Sequence, residues 1–511
     1  MRMPGHDVRG RFQRWGVLVI ALAAAGCNEA RSPEPVLFDA IDPELFGDGG
    51  ALTDAWADVD LDGDPDRFVG FNGSPSRLYR NDLLDQFTDV APEVGLAVSR
   101  SVRTSAWGDF DSDGDPDLLL GFAGDAPVTA LYRNDLDGGF HETAAEVGLQ
   151  LTEGSTRQAS WIDFDEDGDL DLFLAMRDRA NLLFENTNGT FTDVASALGV
   201  ADERRTVGAV WFDTGDGRLD LLTANMNGDA NALLLQGADG FSPAPDEAIA
   251  GGGRAVGDDA EGSVRPCVVD FDDDGDLDVF FANYGPNGLL ERSGDGDLIN
   301  VAEQRGVANP SRYDTCAWGD FDHDGRIDLY VNGTVGGGEH FRDWLMRRED
   351  GDVFVDVTPA NVLALNASHG ATWVDYDLDG DLDLALAGAA DDGMHLILKN
   401  LLRPEFAWHS LQVRVVDADG HATHAGAEVR LYAAGTSRLL GTRIVDTGSG
   451  YDAQSDLPVH FGIPGGQPVD LVVTTFSGGE RVDGRLEAVD PAYFRGTFLT
   501  VRIDADGEIM R

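Results

Sequence analysis

Short apolar runs recur along this chain between acidic, glycine-bearing turns, and their length is that of strands. In one unit Ser105-Ala106-Trp107 enters an acidic loop and Leu118-Leu119-Leu120 leaves it; Ala130-Leu131-Tyr132 follows, and Phe140-His141-Glu142 opens a fourth run ending near Leu149. Apolar runs of this size bounded by Gly, Asn and Asp read as strands. Four strands in roughly fifty residues is the size of one propeller blade. The predicted fold class is all-β: a seven-bladed β-propeller over residues 36–404 and a small C-terminal β-sandwich over 405–511.

The loop after the first strand of each unit sets the phase. It reads Asp109-Phe110-Asp111-Ser112-Asp113-Gly114-Asp115-Pro116-Asp117, and it returns at Asp58 to Asp66, Asp163 to Asp171, Asp270 to Asp278, Asp320 to Asp328 and Asp375 to Asp383. A damaged copy lies at Asp213 to Asp220, and successive starts are 51, 54, 50, 57, 50 and 55 residues apart. One such loop alone is an ordinary solvated turn; six near-complete copies at fixed phase form a repeat architecture.

Carboxylates at positions 1, 3, 5 and 9 around a Gly at position 6 converge hard oxygen ligands on one point, which suits Ca²⁺. The candidate ligands are Asp58, Asp60, Asp62, Asp64 and Asp66; Asp109, Asp111, Asp113, Asp115 and Asp117; Asp163, Asp165, Asp167, Asp169 and Asp171; Asp270, Asp272, Asp274, Asp276 and Asp278; Asp320, Asp322, Asp324, Arg326 and Asp328; and Asp375, Asp377, Asp379, Asp381 and Asp383. Because position 7 is Arg326 in one copy, that position is expected to offer its backbone carbonyl. An EF-hand would need Glu at position 12, where these loops have Val69, Leu120, Leu174, Phe281, Val331 and Leu386. In the damaged copy Phe212 and Thr214 replace the first two acids, so that site is expected to be weak or empty. About six structural calcium ions are expected.

The net charge is −55 with a pI near 4.2. That excludes nucleic acid as a partner and argues against anionic membrane surfaces. Six calcium ions would bring twelve positive charges, and −55 + 12 leaves −43. With 42% hydrophobic residues and nine Trp the chain is folded rather than disordered.

The start of the chain reads as a targeting segment. Arg2, Arg9, Arg11 and Arg14 precede the apolar stretch Val17 to Ala25, and the motif Ala24-Ala25-Gly26-Cys27 resembles a bacterial lipobox. Residues 1–26 are expected to be a lipoprotein signal peptide, Cys27 the lipidated residue and 27–35 a linker. Asn28 follows the Cys in place of an inner-membrane retention Asp, so the expected address is the outer membrane or cell surface, with the membrane reached through the lipid alone. Cys267 and Cys316 precede their loops by three and four residues. A one-residue offset points side chains to opposite faces of a strand, and whether the two pair stays open.

The units resemble the FG-GAP/VCBS repeat family, seen also in integrin-type calcium propellers. The residues that carry the likeness are Trp107-Gly108-Asp109-Phe110-Asp111, Trp318-Gly319-Asp320-Phe321-Asp322 and Trp373-Val374-Asp375-Tyr376-Asp377, with Leu78-Tyr79-Arg80-Asn81 and Phe191-Thr192-Asp193-Val194 as companions. The resemblance implies loop-bound calcium and a binding role. The last unit lacks its fourth strand before Pro404, whereas residues 36–46 look like Phe140 to Leu149; they are expected to complete the seventh blade and leave no open edge.

The tail, through Gly426-Ala427-Glu428-Val429-Arg430, Gly448-Ser449-Gly450-Tyr451, Gln454-Ser455-Asp456 and His460-Phe461-Gly462, resembles an ASPIC/UnbV domain. Repeats followed by that domain is the arrangement of the cartilage acidic protein family and its bacterial relatives. Tyr451, Gln454 and Asp456 are expected to stabilise a turn. No H-E-x-x-H, G-x-S-x-G or P-loop occurs. The expected function is non-catalytic binding or adhesion to an extracellular protein or glycan; the alternative is a polysaccharide-active enzyme built on the propeller scaffold.

Overall fold

The computed structural model describes residues 36–510, apart from 125, 137–138, 295, 337–338, 364–368 and 391–392. The signal, Cys27 and the linker lie outside the described residues. No described helix is long and apolar enough to cross a membrane.

Residues 36–511 form one compact unit, and it is nearly all strand. The strands that enter the acidic loops are Ala51–Ala57, Ser99–Gly108, Thr156–Ile162, Thr206–Asp213, Gly262–Val269, Pro310–Gly319 and His369–Val374. Each opens an antiparallel four-stranded sheet, and these seven innermost strands touch their neighbours in order, with the last against the first. The seventh sheet takes its outer strand from the start of the chain: Phe38–Ile41 pairs with Ile397–Asn400, Phe38 opposite Asn400. An edge that would otherwise stay open is thereby closed.

Two loops are directly preceded by Gly, and the Trp of the next sheet explains each. Trp161 lies so close to Gly108 of the preceding sheet that a Cβ there would sit 2.6 Å from its ring, and Trp373 crowds Gly319 in the same way at 2.9 Å. The indole N–H of Trp161 donates to Ala106 O at 3.2 Å and that of Trp373 to Ala317 O at 3.3 Å. Trp56, Trp107, Trp161 and Trp211 are at most 2% exposed, so each of the first four sheets buries an aromatic wedge.

One local expectation is refined. The fourth strand of a unit is short, Phe140–Glu142, and the apolar residues after it form a single helical turn, Ala144–Val147, that Gly148 ends at φ 94. The same turn recurs at Ala91–Val94, Ala195–Leu198 and Ala302–Arg305.

Cys267 and Cys316 are joined, with Cα atoms 6.4 Å apart. They sit on the innermost strands Gly262–Val269 and Pro310–Gly319 of adjacent sheets. Stacked sheets meet front to back, so a bridge between them needs one thiol on each kind of face. The offset that would oppose pairing within one face is what pairing between blades requires.

Beyond Pro404 two further four-stranded sheets share one core. Ser410–Val416 pairs with Val459–Gly462 and Leu499–Ile503; Glu428–Ala433 pairs with Leu439–Ile444 and Val469–Ser477. Val413, Val415, Val429, Leu431, Leu471 and Val473 meet between them. The strand Glu480–Val489 completes the second sheet, and its largely exposed, charged residues hid it from an apolar-pattern search.

Candidate metal centre

The second loop illustrates the common geometry. The Asp109 carboxylate accepts the N–H of Asp113 at 3.0 Å and of Gly114 at 2.9 Å, while Asp117 accepts Asn134 N–H at 2.8 Å and Phe110 N–H at 3.1 Å. Asp113 accepts Asp115 N–H at 3.1 Å. Positions 1, 5 and 9 thus hold the turn with part of their oxygen valence and leave the rest for a cation. Position 4 is left-handed in every intact loop, at Leu61, Ser112, Glu166, Asp273, His323 and Leu378, with φ between 54 and 63. None is Gly, so each costs about 1–2 kcal/mol of backbone strain.

The carboxylates converge. Ligand atoms of Asp58, Asp60 and Asp62 lie within 4.8 Å of one another, as do those of Asp109, Asp111 and Asp117; Asp163, Asp165 and Asp171; Asp270, Asp272 and Asp278; and Asp320, Asp322 and Asp328. In four of these sets the members are positions 1, 3 and 9. Buried oxygens of Asp111, Asp270, Asp272, Asp328, Asp375, Asp377 and Asp383 lack a hydrogen-bond partner. At position 7 the side chains of Asp64 and Asp381 are themselves buried, with both Asp381 oxygens unpartnered, so in the first and last loops this residue faces the cluster with more than its carbonyl. In the third loop Asp169 turns away and accepts Asn188 N–H at 2.8 Å.

Burial raises the pKa of these acids, with like charges adding to it. Asp66 and Asp278 are pushed up to about 8, Asp117 and Asp171 to about 9, Asp163 to about 7 and Asp109 to about 6. Asp320, Asp328, Asp375 and Asp383 are pushed well up for the same reasons. Clustered oxygens without partners, held by backbone N–H groups, are a hard-cation donor set, and the residues present fit calcium.

The damaged copy meets its charge with hydrogen bonds and a guanidinium. Asp213 accepts the N–H of Gly215, Asp216 and Gly217, and Thr214 Oγ1 donates to Asp220 at 2.6 Å. The guanidinium of Arg481, from the tail, stands 3.4 Å from Asp213 and also pairs with Glu428. An arginine occupies the role that a cation would have.

Four of the six intact loops are also clipped to their predecessors, through residues that the loop spacing does not point to. Asn81 Nδ2 donates to Tyr376 O, Asn134 to Val59 O, Asn186 to Phe110 O and Asn400 to Phe321 O, in each case position 2 of the preceding sheet's loop. Gln236 does the same to Phe164 O. The signal in the sequence is their fixed place, 15 to 17 residues after the position-9 Asp.

The tail covers this loop face. Gln412 Nε2 donates to Asp375 at 2.6 Å, His460 Nε2 lies 3.0 Å from Gly380 O and Gly479 N–H donates to Glu166 at 2.9 Å. Burial drives His460 down to about 3 and lowers His424, so both are neutral structural groups. The polar strip of the tail braces its own turn, with Gln454 Nε2 donating to Asp446 O at 3.0 Å, and also docks between sheets. Ser455 Oγ accepts Trp56 N–H, Gln454 bonds both N–H and C=O of Trp161, and Thr447 does so with Trp211. Asp456 pairs with Arg414 at 2.5 Å.

The FG-GAP-like repeat family matches residues 58–120, 163–223 and 270–331. Each match starts at the first Asp of one loop and runs through the next, the damaged loop included. This chain carries FG-GAP-like repeats. It is also similar to cartilage acidic protein 1 of Mus musculus, 29% identical over 226 residues that cover 42% of this chain and 34% of the mouse protein. The Homo sapiens protein of that name gives 29% over 226 residues, 42% of this chain and 33% of its own. The matched region spans about a third of those relatives. Among solved structures, BBS1N in complex with ARL6DN aligns over 73% of this chain and 98% of that one at 10% identity and a TM-score of 0.46. The rhamnogalacturonan lyase PL11 of Bacillus licheniformis aligns over 71% and 75% at 12% identity and a TM-score of 0.37. Likeness at that level carries no weight for function.

Proposed function

We propose that this chain is a non-catalytic binding protein whose propeller is stabilised by about six calcium ions, one in each intact loop. The observation that carries the reading is the repeated convergence of carboxylate oxygens at positions 1, 3 and 9 on one point. Calcium in such loops relieves the crowding of buried like charges and holds position 4 in its left-handed state, so the ions serve the scaffold. Binding residues tend to sit on loops that a rigid scaffold holds. The partner is an extracellular protein or glycan, and the tail is an ASPIC/UnbV-like domain that caps the loop face. A lipid on Cys27 tethers the protein to the cell envelope, at the outer membrane or surface.

Elemental analysis of purified residues 36–511 after equilibrium dialysis against about 1 mM calcium, corrected for the free ion, tests the metal: about six ions per chain are expected, and one or none overturns the reading. Mass spectrometry of the native amino terminus tests the tether. Cys27→Ser should abolish lipidation, and an unmodified mature terminus elsewhere refutes the anchor. A purified protein that cleaves polysaccharide, with one carboxylate whose removal stops cleavage and leaves calcium content unchanged, would establish the enzyme alternative.

A further inference from the structure

Six residues before the first Asp of each intact loop, and six before Asp213 in the damaged one, the innermost strands place Leu52, Arg103, Arg157, Val207, Val264, Asp314 and His369. In all but the last strand the pairing register shifts at this position, as when one extra residue is inserted. A bulge re-aims its side chain. Here the re-aimed side chains converge on Tyr451, which the tail sends down the middle of the ring. The Tyr451 ring stacks on His369 at 4.3 Å, packs with Val207 and Val264, and lies in charge contact with Arg157, Asp314 and Arg103. Six residues of strand span about 20 Å, so this layer sits at the far end of the inner strands from the calcium loops.

The layer is lopsided in charge. Arg103 and Arg157 come from adjacent sheets and repel each other, and Arg177, next to Arg157, adds a third guanidinium. Among the described residues, buried Nε of Arg103 and Nε and Nη1 of Arg157 have no hydrogen-bond partner, and Arg177 donates to the neutral Asn227 at 2.9 Å. The nearby acids are Asp452 and Asp314, and the latter already holds His369 at 2.9 Å and the Tyr284 hydroxyl at 3.0 Å. With Arg265 and the Asp446 that faces it included, four guanidinium groups stand against three carboxylates, a surplus of one positive charge in a chain of net −55. Unpartnered guanidinium N–H groups present a fork shaped for a carboxylate or sulfate.

We propose that the cluster of Arg103, Arg157 and Arg177 at this end of the ring binds the oxyanion of an acidic saccharide. Side-by-side guanidinium groups from adjacent sheets match the carboxylate or sulfate that an acidic saccharide repeats along its length. This rests on the reading of the chain as a binding protein and names the ligand class.

The test titrates calcium-loaded protein, residues 36–511, with oligogalacturonate, a sulfated oligosaccharide and a neutral oligosaccharide, by calorimetry at two salt concentrations. One or both acidic probes should bind, more weakly at high salt, and the neutral one should not; which acidic probe binds tells carboxylate from sulfate. Arg157→Gln and Arg103→Gln should each weaken binding at least about tenfold, with calcium content and melting unchanged, and Arg157→Lys should restore part of it. Failure of both acidic probes to bind, equal binding of the neutral one, or indifference to both substitutions overturns the site. Calcium content, measured on the same samples, reports on the metal reading separately.

Discussion

The second and the fourth loops share a backbone plan and differ in what neutralises it. In the second, Asp109, Asp111 and Asp117 bring oxygens together around a point where a cation fits. In the fourth, Phe212 lies opposite Asp220 as Gly108 lies opposite Asp117, so the expected replacement of the first acid by Phe212 is corrected: Asp213 is the first acid of a loop one residue shorter, and Arg481 reaches in from the tail to Asp213 and Glu428. The turn survives both solutions because its N–H groups are held by the first acid in each, Asp109 in one and Asp213 in the other. What the loop needs is positive charge over a hydrogen-bonded turn, and a metal is one of two ways to provide it.

The widest test of that contrast is to remove calcium altogether. Sites of the extracellular kind bind with Kd of roughly 10⁻⁴ M, so at about 1 mM calcium each adds about 1.4 kcal/mol and six add roughly 8. Chelator should therefore lower the melting temperature steeply, and hydrogen exchange should open the six intact loops while the fourth keeps its protection. Equal exposure of all seven would erase the distinction.

Next comes Asp117→Ala. It removes one calcium site and strands the N–H groups of Asn134 and Phe110, for a loss of about 3 kcal/mol by denaturant titration in calcium. The same change at Asp220 also strands N–H donors and removes no metal, so its smaller loss should be the same with and without chelator. Arg481→Met should cost about 2 kcal/mol, because it leaves Asp213 and Glu428 without their shared cation in a partly solvated setting. That loss too should ignore calcium; a calcium-dependent loss would mean that the fourth loop binds metal after all.

The gentlest test is pH in chelator. Asp66, Asp117, Asp171 and Asp278 have folded-state values of about 8 to 9 against an ordinary 3.8, so the stability they contribute is complete below about pH 4 and is lost as pH rises toward 9. Without calcium the protein should unfold at lower urea at pH 8 than at pH 5. Calcium binds the ionised form, and adding it should flatten or reverse that slope.

The repeat was readable because loop phase is a one-dimensional property. Spacing alone places Asp58 through Asp383, and the apolar runs between them mark the strands. The missing fourth strand of the last unit was equally legible, as a deficit at one end and a surplus at the other. What spacing does not carry is contact between units. The Asn81, Asn134, Asn186 and Asn400 clips, the Trp161 wedge on Gly108 and the Cys267–Cys316 bridge all join neighbouring sheets, and nothing local marks their partners. Likewise Gln454, expected to brace a turn and doing so through Asp446 O, also bonds Trp161, and its neighbour Ser455 bonds Trp56, about 300 and 400 positions earlier.

The pairing of Phe38–Ile41 with Ile397–Asn400 also sets a schedule for assembly. Ile41 meets Ile397, a separation of 397 − 41 = 356 residues, so the first strand to leave the ribosome is among the last to find its partner. Until the final blade has been synthesised, that segment and the edge it will cover both stay open to pairing with other chains. At the usual pace of synthesis, about 5–20 residues per second, the wait lasts some tens of seconds. A ring that ends as a closed circle therefore spends its youth as an open one, and a chaperone that holds the amino-terminal strand has more to offer this protein than one that attends to any single blade.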